Sequence, residues 1–316
     1  MTKNFAMTGV AGYIAPRHLQ AIKDTGNQLI AALDPQDSVG ILDSYFGDVA
    51  FFTEFERFDR HIDKLRRENA GSEIHYLTIC SPNYLHDAHI RLALRVGADA
   101  ICEKPLVLNP WNLDALQELE REFGKRIYTI LQLRVHPAMV ALKEKLDSAP
   151  TGNKHDIDLT YITSRGKWYQ ISWKGKIEQS GGLATNIGIH FFDILIWLFG
   201  NVQRQEVHLS TATKTSGYIE LEKARVRWYL SIDSADIPQD AQKTGKRTYR
   251  SLTMDGQEIE FSDGFTDLHT QVYKRILAGD GFGIDDARPS IQLAHDIRIA
   301  EVVHNSQLTH PLVRKL

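Results

Sequence analysis

Gly9-Val10-Ala11-Gly12-Tyr13-Ile14-Ala15-Pro16-Arg17-His18 is the stretch on which the reading of this chain turns. A short, mostly apolar run, Lys3 to Thr8, leads into it, and an amphipathic segment, Leu19-Gln20-Ala21-Ile22-Lys23, follows and closes at Gly26. A second apolar run, Leu29-Ile30-Ala31-Ala32-Leu33, ends in Asp34. Strand, glycine turn, helix, strand and terminal acid are the parts of a dinucleotide-binding unit. The glycines let the main chain approach a pyrophosphate at a helix N-terminus, and the acid accepts hydrogen bonds from the adenine ribose hydroxyls. A glycine turn alone is only a tight turn; the flanking elements and the acid make it a cofactor site. Asp34 would repel a 2′-phosphate, so the expected cofactor is NAD rather than NADP. The spacing Gly9-x-x-Gly12-x-x-Ala15 is one residue longer than usual in its first gap, and Ala15 stands where the last glycine is usual.

Further along, strands and helices alternate. Phe51 to Phe55 reads as a short strand, 57 to 68 as a charged helix with Ile62 and Leu65 inward, and Tyr76-Leu77-Thr78-Ile79-Cys80 as a buried strand. That strand breaks into Ser81-Pro82-Asn83-Tyr84-Leu85-His86, where proline and asparagine force a turn and start a helix that Gly97 stops. Asp99-Ala100-Ile101-Cys102-Glu103-Lys104-Pro105 is another strand, halted by proline with Glu103 and Lys104 at its carboxyl edge. Asn109 and Pro110 open a helix to about Phe123, and Ile127 to Leu131 is one more strand. Such alternation means a doubly wound parallel sheet, which binds ligands in the crevice outside the carboxyl ends of its strands. A lysine in that dry crevice can lose its proton near neutral pH, because desolvation disfavours the ammonium form.

The second half has another texture. A helix near 138 to 147 leads to a connection at Ala149-Pro150-Thr151-Gly152-Asn153, then strands at 156 to 163, 205 to 212, 224 to 232, 249 to 254 and 257 to 261. Ala224 to Leu230 alternates with period two, as in a sheet with one buried face. Between the first two strands lies Ser164-Arg165-Gly166-Lys167-Trp168-Tyr169, then Ser172-Trp173-Lys174, Ser180-Gly181-Gly182 and Asn186-Ile187-Gly188-Ile189-His190. Tryptophans, cations and paired glycines suit a pocket floor for flat rings and anions. Asn186 to His190 is one helical turn, which would put both side chains on one side. The division expected is residues 1–134 for cofactor and 135–316 for substrate and oligomerisation.

Composition sets outer limits. The chain has 316 residues, 42% hydrophobic and 24% charged, with 37 basic against 40 acidic side chains. That balance gives no pull toward nucleic acid or membrane surfaces. The N-terminus enters a strand almost at once, so no signal peptide is expected. The apolar stretch near 191 to 199 is interrupted by Asp193 and too short to span a bilayer. Cys80 and Cys102 each end a core strand and read as reduced, buried thiols, which together with the missing leader predicts a cytoplasmic protein. No metal ligand set is expected.

The glycine turn ending in Ala15-x-x-His18, Ser-Pro-Asn-x-x-His at 81 to 86, Glu103-Lys104-Pro105, Trp173-Lys174, and Gly181-Gly182 through His190 and Asp193 occur in one order. In that order the chain resembles the glucose–fructose oxidoreductase/inositol dehydrogenase/rhizopine catabolism (Gfo/Idh/MocA) family over nearly its full length. Residues 5 to 15, 76 to 86, 157 to 175 and 262 to 269 are similar to those of its UDP-N-acetylglucosaminuronate 3-dehydrogenases, which serve bacterial surface polysaccharide (O-antigen) synthesis. The resemblance implies a Rossmann domain followed by an α/β domain with a large, open, mostly antiparallel sheet, assembled as a tetramer or else a dimer. It implies that Gly9, Gly12, Tyr13, Ile14 and Asp34 hold adenosine and pyrophosphate. It places Ser81, Pro82, Asn83 and His86 on the nicotinamide side, and Glu103 and Lys104 by the nicotinamide ribose and substrate, with Gln132 and Trp173 nearby. Asn186 stands where many members carry Asp, which removes a carboxylate and leaves the acid–base work to Lys104 and His190.

The chemistry this implies is oxidation of the sugar 3′-hydroxyl of UDP-N-acetylglucosaminuronic acid, with Lys104 or His190 taking the hydroxyl proton. Arg165 and Lys174 would meet carboxylate or diphosphate, Tyr169 would line the pocket, and Asn186 would contact substrate. Two other readings remain: a dehydrogenase of a free sugar or inositol, and a non-catalytic NAD-binding regulator. Reoxidation of the cofactor, by exchange or by 2-oxoglutarate as second substrate, is left open by the residues.

Overall fold

The computed structural model describes residues 2–68, 71–148, 152–243, 245–259 and 267–315. The chain forms two compact units, Met1–Val135 with Thr266–Arg288 and His136–Phe265 with Pro289–Leu316. The chain contributes to the first unit again late in the sequence, with helix Leu268–Leu277.

In the first unit six strands pair in parallel: β1 (Asn4–Thr8), β2 (Gln28–Leu33), β3 (Ala50–Phe52), β4 (Tyr76–Ile79), β5 (Asp99–Cys102) and β6 (Ile127–Thr129). Their order, β3-β2-β1-β4-β5-β6, reverses direction between β1 and β4. At that reversal the connections leave for opposite faces, and a crevice opens at the carboxyl ends. The strands read as continuous apolar runs because helices cover both faces. Helix Ala15–Asp24 buries Ala15, His18, Leu19, Ala21 and Ile22, one helical stripe, against this sheet. Phe5, Met7, Leu19, Ile22, Leu29 and Ile101 form its core, each contributing about 1.5–3 kcal/mol by burial. Helix Leu268–Leu277 adds Val272, Tyr273 and Ile276 to the same core, which is why so late a segment belongs to the first unit.

The second unit is built on β7 (His155–Thr163), β8 (Val202–Ser210), β9 (Lys214–Leu221), β10 (Ala224–Ser231), β11 (Thr248–Met254) and β12 (Gln257–Glu258), in the order β12-β11-β7-β10-β9-β8. Only β7 and β10 run parallel; the other neighbours are antiparallel. β9 was not expected from the sequence. Its middle is Ser216-Gly217, and Gly217 is needed there: a Cβ would sit 2.1 Å from the Glu206 carbonyl oxygen and 2.7 Å from the Trp228 ring. The bulk that marks a core strand is supplied by Trp228, across on β10, which is fully buried. The strand expected at 205 to 212 starts and stops earlier, at 202 and 210. The connection expected at Ala149–Asn153 lies outside the described residues at 149–151, as does the end of the strand expected at 257 to 261 and most of the stretch 262 to 269.

The segment before β8 corrects another expectation. Residues 184–188 form a π-helical turn, followed by a regular helix, Ile189–Phe199, so Asn186 and His190 are not one α-turn apart. Inserting a residue into the turn breaks the 3.6-residue register and re-aims the side chains before it. The Phe192 ring meets Trp228 edge-on, 5.4 Å between centroids, and fastens this helix to the sheet. The joined run Ile177–Phe199 is, by length and composition, apolar enough to cross a membrane. In the fold 78% of its most apolar window is buried inside the protein, so its apolar surface serves the core.

Candidate active site

The glycine turn is fixed by its neighbours on both sides. Gly9 has φ +78°, and a Cβ there would lie 2.4 Å from the Cys80 carbonyl carbon, so only glycine lets β1 and β4 end side by side. The Gly9 N–H donates to the Leu33 carbonyl at 2.8 Å and the Gly12 N–H to the Gly9 carbonyl at 3.0 Å. Asp34, buried at the end of β2, accepts from the Ala11 N–H at 3.0 Å through Oδ2 and from the Gln36 N–H at 2.9 Å through Oδ1. The acid therefore belongs to the turn itself. Tyr13 is 92% exposed beside it and Ile14, half-buried, precedes the helix. Past β6, the buried Gln132 Oε1 has no protein donor. An acceptor in that state can take a ligand N–H or O–H, and together with the Gly9 turn it suits a bound dinucleotide.

The turns after β4 and β5 are stitched together. Ser81 and Asn83 are buried, Pro82 half-buried, and the Ser81 hydroxyl meets His89 Nδ1 at 2.9 Å. His86 Nδ1 lies 2.7 Å from the Pro105 carbonyl oxygen and Nε2 2.9 Å from that of Ser81, and a neutral imidazole donates to one of the two. Burial pulls its basicity below the usual range, against the pull of both carbonyls. Lys104 is half-buried, and the Lys104–Pro105 peptide is cis.

Glu103 points into a buried polar cluster. Its Oε1 lies 2.8 Å from His18 Nε2 and 3.2 Å from His269 Nε2, while Oε2 accepts from the Lys104 N–H at 3.2 Å. His18 Nδ1 is 2.8 Å from the Tyr273 hydroxyl, which is 2.9 Å from the Thr78 hydroxyl. Burial alone would raise the Glu103 pKa; the hydrogen bonds from His18 and His269 outweigh it and hold the carboxyl well below the usual carboxylate range. Burial pushes His18 down and Tyr273 far up, so both are neutral. With Glu103 an acceptor only, His18 must carry its proton on Nε2, and Tyr273 must donate to Nδ1. His269 and Tyr273 sit four residues apart on the buried face of one helix and were missed from the sequence; an i, i+4 pair of hydrogen-bonding rings among Leu268, Val272 and Ile276 was the available signal. The same three side chains, His18, Glu103 and His269, offer ligand atoms within 4.8 Å of one another, but the separations are those of direct hydrogen bonds.

In the second unit two contacts join sequence-selected residues. Lys174 Nζ stands 4.0 Å from the centroid of Trp173 and 5.9 Å from that of Trp168, a cation on an aromatic platform. Tyr169 is 2% exposed among Ile187 and Ile232, and its hydroxyl accepts from Asn186 Nδ2 at 2.7 Å. Burial raises its pKa, partly offset by Asn186. Arg165 is exposed, with its N–H on the Ile232 carbonyl at 3.0 Å, and His190 is half-buried.

Residues 3–130 match the model for the NAD-binding Rossmann fold of an oxidoreductase family, and 152–238 that for its C-terminal alpha/beta domain. The structure superposes with TM-score 0.94 on the WlbA (WbpB) dehydrogenase from Thermus thermophilus in complex with NAD and alpha-ketoglutarate, 54% identical over 98% of this chain and 99% of that one. Against the same enzyme in complex with NAD and UDP-GlcNAcA the TM-score is 0.93 and the identity 53%, with the same coverage. An inositol 2-dehydrogenase from Rhizobium meliloti is 26% identical over 203 residues, 63% of this chain and 56% of that protein. An uncharacterized oxidoreductase from Synechocystis is 29% identical over 145 residues, 45% of this chain and 39% of its own length. The chain thus spans about half the length or less of these curated relatives.

Proposed function

Since the chain belongs to the Gfo/Idh/MocA oxidoreductase family, we propose that it is an NAD-dependent dehydrogenase that oxidises the 3′-hydroxyl of UDP-N-acetylglucosaminuronic acid to the 3-keto sugar. One observation carries this reading: 53% identity, end to end, to a dehydrogenase seen with NAD and UDP-GlcNAcA. That likeness runs over 98% of this chain and 99% of the other, and a shared fold alone would say nothing of substrate.

The residues divide the work as follows. Gly9, Gly12, Tyr13, Ile14 and Asp34 hold the adenosine and pyrophosphate of NAD; Ser81, Pro82, Asn83, His86 and Gln132 line its nicotinamide side, with Trp173 and Glu103 nearby. NAD, when bound, supplies the hydride acceptor. Lys104, as the neutral amine, removes the hydroxyl proton and becomes the ammonium; His190 shares the acid–base work. Asn186 cannot relay a proton by ionising and serves as a hydrogen-bonding contact. Arg165 and Lys174 neutralise the carboxylate and diphosphate, and Tyr169 orients Asn186. A 2-oxo acid, 2-oxoglutarate, would then take the hydride at its keto carbon and a proton from the Lys104 ammonium to leave as the 2-hydroxy acid, a reading supported by the alpha-ketoglutarate complex of the relative. On this reading the enzyme works in the cytoplasm as a homotetramer, or else a dimer, and feeds O-antigen synthesis.

The match to an inositol dehydrogenase favours a second reading, oxidation of a free polyol. Absorbance near ~340 nm, the band that nicotinamide reduction creates, decides between them. Addition of UDP-N-acetylglucosaminuronic acid to the purified protein is expected to raise it and 2-oxoglutarate to bring it down again. A rise with inositol and none with the nucleotide sugar would overturn the proposal.

A further inference from the structure

The lysine turn is clamped, and the clamp is a buried carboxylate. Glu103 was expected beside the cofactor, yet both of its oxygens are engaged inside the first unit: Oε1 by two imidazoles, Oε2 by the main-chain N–H of Lys104. Those imidazoles come from different elements. His18 lies on Ala15–Asp24, the helix that the glycine turn opens, and His269 on Leu268–Leu277. Tyr273, one turn beyond His269, ties His18 to Thr78 on β4. On its other side the turn is held by His86 through the Pro105 carbonyl.

We propose that Glu103 is the positioning residue of this enzyme: through His18 and His269 it locks the main chain at Lys104 to the helix behind the cofactor turn, so that the base and the cofactor site move as one body. The inference rests on the assignment of Lys104 as the base. Every member of the cluster is buried, Glu103 5% exposed, His18 0%, His269 3%, Tyr273 0% and Thr78 0%. In such surroundings hydrogen bonds are strong and a missing partner is costly. The directions are also consistent from end to end: Thr78 donates to Tyr273, Tyr273 to His18, His18 and His269 to Glu103, Lys104 N–H to Glu103. No two donors face each other. A carboxylate is the only side chain that can accept all three inward-pointing N–H groups.

Glu103→Gln tests the clamp while keeping its shape. An amide has one acceptor oxygen, so it must turn an NH2 group either on the two imidazoles or on the Lys104 N–H. Displacing a reacting group by about 1 Å costs about 10²-fold. The expected result is a kcat lower by about 10- to 100-fold, with the KM for UDP-N-acetylglucosaminuronic acid and the Kd for NADH within about threefold of native. A native kcat overturns the proposal. A joint loss of kcat and NADH affinity also overturns it and makes Glu103 a cofactor ligand. Should that variant not fold, His269→Gln, which leaves the Lys104 hydrogen bond in place, carries the test: a kcat about fivefold lower at unchanged NADH Kd supports the clamp, and an unchanged kcat overturns it. One equivalent of zinc in the native protein by mass spectrometry, lost in His269→Gln, would overturn it in favour of a metal site. Lys104→Met measured alongside separates the two levels. If it is inactive and Glu103→Gln is native, the clamp alone fails; if it turns over at the native rate, the base assignment fails and takes the clamp with it.

Discussion

Two half-buried lysines, one in each unit, are held in opposite ways. At Lys104 the main chain is fixed by a buried carboxylate and, one residue on, by a buried imidazole. At Lys174 the ammonium rests on the Trp173 ring, beside a Trp168 that is 52% exposed and an Ile171 that is 81% exposed. A directional network fixes position; an aromatic platform attracts a flat or charged partner over a range of poses. On the proposed function, Lys104 belongs to the chemical step and Lys174 to recognition of the sugar nucleotide.

The harshest way to break that contrast is at the glycine turn. Gly9→Ala puts a methyl 2.4 Å from the Cys80 main chain at a positive φ, and a loss of at least about 4 kcal/mol in urea unfolding is expected, together with loss of NADH binding by fluorescence titration. Near-native stability would mean the first unit is not rigid.

Acid should blur the contrast, because both units bury a neutral histidine. Burial lowers His89 in the first unit and His310 in the second from 6.5 to about 4. The unfolded chain binds these protons near pH 6.5 and the folded one does not, so stability is complete above pH 6.5 and falls as the pH drops toward 4. Each histidine accounts for at most about 3 kcal/mol of that loss. Thermal unfolding followed from pH 7 to 4 should show the decline, and His89→Asn and His310→Asn should each flatten it; parallel curves for native protein and variants would refute the assignment. The smallest effect sharpens the second half of the comparison. Trp173→Ala removes a platform worth about 1 kcal/mol, so steady-state kinetics should show a sugar-nucleotide KM about fivefold higher with kcat nearly unchanged. A fall in kcat at constant KM would place Trp173 with the chemistry instead.

What the sequence discloses follows from how local the signal is. The parallel strands of the first unit are visible because each is a closed apolar run ending at a turn-former, and Asp34 because it terminates one. β9 was not visible, since the bulk that buries Ser216-Gly217 belongs to Trp228 on another strand. The π turn at 184–188 changes the helical register without changing composition. The partners of Glu103 were the least legible. His269 reaches it from 166 residues away along the chain, and no local pattern in either segment announces the other. Among the second-unit residues, Lys174 and Trp173 adjoin in sequence and in space, whereas the pairing of Asn186 with Tyr169 needed coordinates.

Single-turnover hydride transfer, read by stopped flow near ~340 nm after mixing NAD-loaded enzyme with UDP-N-acetylglucosaminuronic acid, tests the assignment of the base to the clamped turn most directly. Lys104→Met should bind NADH as the native protein does and transfer at least about 10²-fold more slowly. Transfer at the native rate would remove the lysine from the chemistry and leave its careful fixation without a purpose.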